Sequence, residues 1–347
     1  MRKKRAPARI GALVAFVVAL AVGPAACLRT ESGRSVVVYA SVDQVYAEPV
    51  LASFEAASGI RVLPVYDLEA SKTTGLANRL IAERESPRAD VFWSGEIVQT
   101  LRLKEKGVLA AYRAPAAAGL PDRCRDPEGY WTGFAGRARV FIVNTDLLSP
   151  ESYPRSLDDV LDEGRPAEKI GLALPLFGTT ATHAAALYAV RGPERARLFF
   201  EAVRDRGVRI LDGNSVIRDL VASGQLVFGL TDTDDACGAL RRGAPVAIVY
   251  PDQDAGASGT LIIPSTAALV AGAPHPAEAR ALIDHLLSPG VEDALVGSGW
   301  SQFPFRRLGS LPPCRVPPPA RTMDVGYPEV FGFWEQAQRE LKEIFLR

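Results

Sequence analysis

From Ser35 onward the chain alternates short apolar runs with helically spaced segments, and this rhythm limits the fold more than any other feature. Val36-Val37-Val38-Tyr39 is a continuous apolar run, the pattern of a strand buried on both faces. Glu48 to Ser58 places Val50, Leu51, Phe54 and Ala57 at helical spacing and stops at Gly59, a residue suited to a helix C-terminus. Strand, helix, strand and helix follow at Ile60–Tyr66, Thr74–Glu85, Ala89–Trp93 and Ile97–Lys106. Strands are predicted again at Lys169–Pro175, Arg209–Leu211, Leu226–Leu230, Val246–Tyr250 and Thr260–Pro264, with helices at Ala181–Val190, Pro193–Asp205, Ser215–Ser223, His275–Leu287 and Phe331–Leu346. Strands joined through helices predict a mostly parallel sheet with right-handed crossovers, so the fold class is α/β. The text divides into two such units. Residues 35–139 plus 264–310 are expected to form lobe 1 and residues 140–263 lobe 2, with Val140–Val143 and Leu261–Pro264 as crossovers. The Pro-rich stretch from Leu311 opens a wrapping loop, and 311–347 is read as that loop plus a C-terminal helix.

The head of the chain carries a separate signal. Arg2, Lys3, Lys4, Arg5 and Arg9 precede the uncharged run Ile10–Val22, and Pro24-Ala25-Ala26-Cys27 follows. That is the layout of a secretory signal peptide over residues 1–26. Its apolar run is shorter than the roughly 20 residues that span a bilayer. Cys27 stands as in a lipobox, so the expectation is a diacylated Cys27, a tether over 27–34, and an exported protein anchored at the periplasmic face of a bacterial membrane. Removing residues 1–26 leaves 35 basic and 40 acidic residues, a balance of −5. Such a chain is poorly suited to neutralise nucleic-acid phosphates. Beyond Cys27 only Cys124, Cys237 and Cys314 remain, too few for a disulfide framework; at most one bridge fits, and Cys124–Cys314 is the expected pair.

Ligands of open α/β sheets bind beyond the carboxyl ends of the strands. The residues there are Asp43, Ser94-Gly95-Glu96, Gly178-Thr179-Thr180, Asn214-Ser215 and Thr231-Asp232-Thr233-Asp234-Asp235. Gly178-Thr179-Thr180 and Asn214 each open a helix, where free N–H groups and the dipole favour an anion, although simple capping explains them as well. The carboxylates of 232–235 repel one another unless a cation, hydrogen bonds or water offset them. They suggest a hard cation or an ammonium group held by Asp43, Glu96 and Asp234, or else a solvated, capping turn. His183 follows the Gly-Thr-Thr loop and is expected to be structural, as are Trp93, Tyr39, Tyr46 and Phe177 near strand ends. The sequence contains no GxSxG, HExxH, Walker or GxGxxG motif.

At these residues the chain resembles the ferric-ion-binding periplasmic proteins. The resemblance is carried by Val38-Tyr39-Ala40-Ser41-Val42-Asp43, Ala89-Asp90-Val91-Phe92-Trp93-Ser94, Trp131-Thr132-Gly133-Phe134-Ala135-Gly136-Arg137-Ala138-Arg139-Val140 and Gly213-Asn214-Ser215-Val216. It implies the two-lobed type II periplasmic-binding-protein fold, with a ligand in the interlobe cleft and delivery to an ABC permease and its ATPase. It further implies a monomer without enzymatic activity or required cofactor, and Fe(III) with a synergistic anion as default cargo. The family's metal set of His, Glu and two Tyr is replaced here by Asp43, Gly95 or Glu96, Thr233 and Asp234, while Gly178-Thr179 and Asn214 match its anion-binding segments. The ligand-binding set implied is Asp43, Ser94, Glu96, Gly178, Thr179, Thr180, Asn214, Thr233, Asp234 and Asp235, with Asp43, Glu96 and Asp234 as metal ligands. A phosphonate or organic phosphate is the alternative cargo. A metal-dependent exported enzyme using Asp232–Asp235 is the rival of a different class.

Overall fold

The computed structural model describes residues 33–67, 73–314 and 317–346. The predicted signal peptide, Cys27 and most of the tether lie outside them. Among the described residues no helix is long and apolar enough to cross a membrane.

The first half-sheet follows the predicted rhythm. β1 (Ser35–Ala40), α1 (Gln44–Ser58), β2 (Arg61–Tyr66), α2 (Thr74–Ala82), β3 (Val91–Ser94) and α3 (Val98–Glu105) appear in that order. β1 lies between β2 and β3 and pairs in parallel with both. Pro64 lacks a ladder donor and is tolerated because β2 is the edge strand. Side chains of β1 alternate between two layers. Val36, Val38 and Ala40 join the core under α1, whereas Tyr39 packs with Phe92 and Leu80 on the other face.

The short β4 (Leu109–Ala110) precedes β5 (Thr132–Asn144), a strand of 13 residues buried along its whole length. The sequence pattern alone marks only Val140–Val143 of it as extended. The second half-sheet adds β6 (Ile170–Ala173), α4 (Gly178–Arg191), α5 (Pro193–Arg206), β7 (Arg209–Leu211), α6 (Asn214–Ala222), β8 (Phe228–Asp232), α7 (Thr233–Arg241) and β9 (Val246–Val249). β10 (Ile262–Val270) then returns to the first half, followed by α8 (Pro276–Leu286), α9 (Pro289–Ser298), α10 (Tyr327–Gly332) and α11 (Trp334–Phe345). The strand order is β2-β1-β3-β10-β5-β8-β6-β7. β5 joins the halves: Thr132 to Ala138 pair with β10, and Arg139 to Asn144 pair with β8 and β9. Both long strands are antiparallel to their neighbours, so the sheet is mixed at its centre and parallel towards both edges.

Three helices were not anticipated, the last being α10, most of which falls in residues read as the loop before the predicted Phe331–Leu346 helix. α7 begins inside the Asp-rich stretch that reads as a turn, and α9 contains Gly290 and Gly297. The disulfide is also corrected: Cys237 of α7 pairs with Cys314, and Cys124 is a free thiol in the core. Cys124 ends a 3-10 turn that points its side chain inward, and burial pushes its pKa up to about 11.

Candidate functional site

Five strand-end loops meet at one cleft, as the open-sheet rule anticipates. β1 contributes Ser41 and Asp43, β3 Gly95, β6 Ala173, Leu174 and Phe177 to Thr180, β7 Asp212 to Asn214, and β8 Asp232 with Asp234 and Asp235. Thr73 and Arg137 complete the lining. The space between the walls is only about 40 Å³, room for about three waters at roughly 10–15 Å³ each. A solute of several heavy atoms enters only if the walls part.

Four helices aim their amino ends here, and they divide by charge. α4 starts after Phe177 and α6 after Gly213; neither has a side-chain cap bond or an acidic residue in its first turn. Gly178 opens α4 at φ 54°, a left-handed value that favours glycine. Thr179, Thr180 and Asn214 stand on these two amino ends. α1 and α7, in contrast, carry carboxylates at the same place: Asp43 precedes α1, Asp232 precedes α7, and Asp234 and Asp235 lie in its first turn.

Two arginines from β5 tie these groups together. Arg139 is wholly buried; its Nη1 donates to Asp232 Oδ1 at 2.7 Å, to Thr179 Oγ1 at 3.2 Å and to Asn214 Oδ1 at 3.2 Å, and its Nη2 donates to Thr180 Oγ1 at 3.2 Å. The second Asp232 oxygen accepts from the Thr179 hydroxyl at 2.6 Å and from Asn214 Nδ2 at 3.1 Å. Burial opposes ionisation of Asp232, but Arg139, Arg137 and the Thr179 bond outweigh it and hold the carboxyl below its usual range. Arg137 Nη1 lies 3.0 Å from Asp234 Oδ2 and 3.4 Å from Asp232 Oδ2, and its Nη2 donates to the Gly95 carbonyl. Its guanidinium stacks 4.0 Å above the Trp300 ring. Burial works against this charge too, yet Asp234, Asp232 and Asp43 raise the Arg137 pKa. Arg218 holds Asp235 at 3.1 Å.

Seven of the ten residues in the predicted ligand set line the cleft: Asp43, Gly178, Thr179, Thr180, Asn214, Asp234 and Asp235. Ser94, Glu96 and Thr233 are turned away, and each has a local reason. Ser94 Oγ bonds the Glu96 backbone, donating to its carbonyl at 2.6 Å. Glu96 is 1 % exposed and accepts from the amides of Val98 and Gln99, at 2.6 and 3.0 Å, and from Thr182 Oγ1 at 2.6 Å. It serves as the amino-end cap of α3, and burial raises its pKa despite those three donors. Thr233 Oγ1 accepts the Ala138 amide at 3.1 Å. The metal set Asp43, Glu96 and Asp234 is therefore not assembled, because Glu96 spends its oxygens on the helix. Among the described residues, the three carboxylates that approach within 4.8 Å of one another are Asp232, Asp234 and Asp235, each already facing an arginine.

The sequence reading missed Arg137 and Arg139 as site residues, along with Ser41, Thr73 and Asp212. The only signal for the arginines was two charges two positions apart, hence on one strand face, inside a long apolar run. His183 is buried, does not line the cleft, and is kept neutral by burial and then by Arg139 and Arg191. Among the aromatic residues near strand ends, Trp93 and Tyr39 belong to the core, whereas Phe177 lines the cleft. Tyr46 packs against Trp300 with ring centres 5.3 Å apart and planes tilted by 45°, and its pKa is pushed up to about 12 by burial and by Asp234, Asp235 and Asp43.

Known proteins share this architecture. The chain is 25 % identical over 227 residues to a candidate 2-aminoethylphosphonate-binding periplasmic protein of Salmonella typhi, covering 65 % of each chain. It is 26 % identical over 220 residues to the Fe(3+)-binding periplasmic protein of Serratia marcescens, covering 63 % of this chain and 62 % of that one. The chain thus spans slightly under two thirds of the length of these relatives. The structure of a ferric binding protein from Campylobacter jejuni superposes with a TM-score of 0.79 at 20 % identity, over 89 % of this chain and 99 % of that one. The α/β fold of two joined half-sheets is that of the two-lobed periplasmic binding proteins. The sequence model of the bacterial extracellular solute-binding proteins matches residues 86–319, more than half of the chain, and the chain belongs to that family.

Proposed function

We propose that the chain captures a small zwitterion, carrying a phosphonate or phosphate at one end and an ammonium group at the other, and delivers it to an ABC permease without bond chemistry. One observation carries this reading. The cleft is polarised: on one side stand the amino ends of α4 and α6, without acidic first-turn residues, where Arg139 offsets the Asp232 carboxylate that Thr179 and Asn214 hold, and on the other stand Asp43, Asp234 and Asp235. Orphan N–H groups and aligned dipoles favour an anion at the first side, and carboxylates favour an ammonium at the second. The 2-aminoethylphosphonate named for the Salmonella typhi relative has this layout. Lobes over residues 35–139 plus 264–310 and 140–263 would open about β5 and β10 to admit the ligand and then close on it. A cytoplasmic ATPase would drive transport, and export with a diacylated Cys27 would hold a monomer beside the permease.

Fe(III) with an anion is the second reading. It is favoured by the spacing of Asp232, Asp234 and Asp235 and by the iron-binding relative. The arginines facing these carboxylates weigh more heavily against a trivalent cation than against a single ammonium charge, since repulsion grows with charge and a metal needs the carboxylate oxygens that Arg137, Arg139 and Arg218 hold. The same pairs leave the enzyme reading without a carboxylate that lacks a cation among Asp232, Asp234 and Asp235. Thermal melts with 2-aminoethylphosphonate, ethylphosphonate and ethanolamine, combined with metal analysis, test the proposal. A shift that needs both charged ends in a metal-free protein supports it, because a ligand of the native state alone raises its stability. Stoichiometric iron with no shift from the aminophosphonate would overturn it.

A further inference from the structure

We propose that the Cys237–Cys314 bridge is a strap that limits how far the two halves of the sheet can part, an inference that rests on the reading that these halves open about β5 and β10 to admit a ligand. The bridge spans elements with separate cores. α7, which carries Cys237, shares a core through Ala236 and Ala239 with Val140 and Ile142 of β5 and Ile217 of α6. α9 contributes Val291 and Leu295 to the core under α1. α7 is also a wall of the cleft, because Asp234 and Asp235 stand in its first turn. Parting the halves therefore carries α7 away from α9.

The chain beyond α9 is fastened to the first half before it reaches the bridge. The Phe305 amide donates to Glu292 Oε1 at 2.9 Å, and the Ser310 amide and hydroxyl each donate to the Asp293 carboxylate at 2.8 Å. Both acceptors belong to α9. Arg306 Nη2 adds a bond to the Ala116 carbonyl at 2.8 Å. Four residues past Ser310, Cys314 is bonded to Cys237 with their Cα atoms 5.6 Å apart. Four residues extend to at most about 14 Å, so the Cα of Cys237 stays within about 20 Å of that of Ser310 while these anchors hold. Escaping the limit means giving up bonds to carboxylates worth about 1.5–3 kcal/mol each. The present contact is close. An added Cβ at Gly299, which ends α9, would stand 3.5 Å from Cys237 Sγ and 3.3 Å from Pro313 Cγ, and Arg241 of α7 donates to the Ser298 carbonyl. Apparent affinity falls with the fraction of free protein that is competent to bind, so a strap that removes the widest openings tightens capture.

Small-angle X-ray scattering of the ligand-free protein tests this on three forms: the wild type, the double variant Cys237→Ser with Cys314→Ser, and a bridged form with Gly-Ser-Gly-Ser inserted between Leu311 and Pro312. Peptide mapping checks that the last keeps its bridge. The insertion preserves the covalent bond and adds only slack, about 14 Å at full extension, so a bridge that merely stabilises α7 would not respond to it. Both altered forms should expand, by on the order of 1 Å on a radius of gyration of roughly 20 Å, and titration calorimetry should show both binding 2-aminoethylphosphonate about two- to tenfold more weakly. Scattering of the lengthened form that matches the wild type, or equal affinity of these two, would overturn the proposal. Should the double variant fail to fold, the lengthened form decides the matter alone. An aminophosphonate that no form binds would sink the cargo reading, and the scattering would still decide the strap.

Discussion

Arg139→Met is the most informative single change, because the structure makes its consequence separable into parts. Methionine roughly keeps the aliphatic stem of Arg139 but removes four donor contacts and leaves Asp232 buried without its nearest cation. Breaking a buried ion pair by removing one partner costs about 3–5 kcal/mol; Arg137, 3.4 Å from Asp232, stays as a second cation but makes no hydrogen bond to it, so most of that cost stands. At about 2–4 °C per kcal/mol for a protein of comparable size, the melting temperature should fall by roughly 6–20 °C. The pH dependence follows from the sign of the Asp232 shift. Its folded pKa is depressed, so its stabilisation is present above the unfolded value and is lost as pH falls through the folded one. Without Arg139, burial raises that pKa and the variant gains by protonation. The gap between wild type and variant should thus be widest near neutral pH and narrow in acid. Arg139→Met with Asp232→Asn removes both charges and should recover most of the loss. Circular dichroism melts across pH measure all three proteins. A loss below about 1 kcal/mol, or a double variant no better than the single, would refute the buried-pair account.

Three further outcomes are expected. Thr182→Val removes one of three donors to the buried Glu96 and should cost about 1–3 kcal/mol at neutral pH. Because Glu96 has a raised pKa, that loss should shrink as pH falls and the carboxyl protonates, which urea titrations at two pH values would show. Cys314→Ser opens a bridge between positions 77 residues apart and should lower stability by about 3–4 kcal/mol by melts, whereas peptide mapping of Cys124→Ala should find the Cys237–Cys314 bridge intact. Cys124, with its pKa pushed up to about 11, should resist iodoacetamide in the native protein near neutral pH and react once unfolded, as mass spectrometry would read.

The strand–helix rhythm made most of the fold legible, because burial on both faces leaves a continuous apolar signature that β1 and β3 both carry. α7 stayed hidden since its first turn is acidic, and adjacent carboxylates read as a solvated loop until the helix dipole is known to stabilise them. The cleft was legible through its strand-end loops. Which side chain faced it was not, because Ser94 and Glu96 stand at the right place in the chain but satisfy backbone donors of α3. Arg137 and Arg139 were invisible for the opposite reason: charges in a fully buried strand are explained only by partners distant in sequence, here Asp232 and Asp234. The pairing of Cys237 with Cys314 likewise depends on α7 lying against the Pro-rich segment.

The central claim is that the cleft recognises opposite charges at its two ends and needs no metal. Isothermal titration of 2-aminoethylphosphonate into protein freed of metal by chelation tests it most directly, with Asp234→Ala beside the wild type. The account predicts binding of one ligand per chain that weakens at least about tenfold in Asp234→Ala, as expected for a lost charged contact of about 1.5–3 kcal/mol. No heat from the metal-free wild type, with binding restored only by Fe(III), would contradict it.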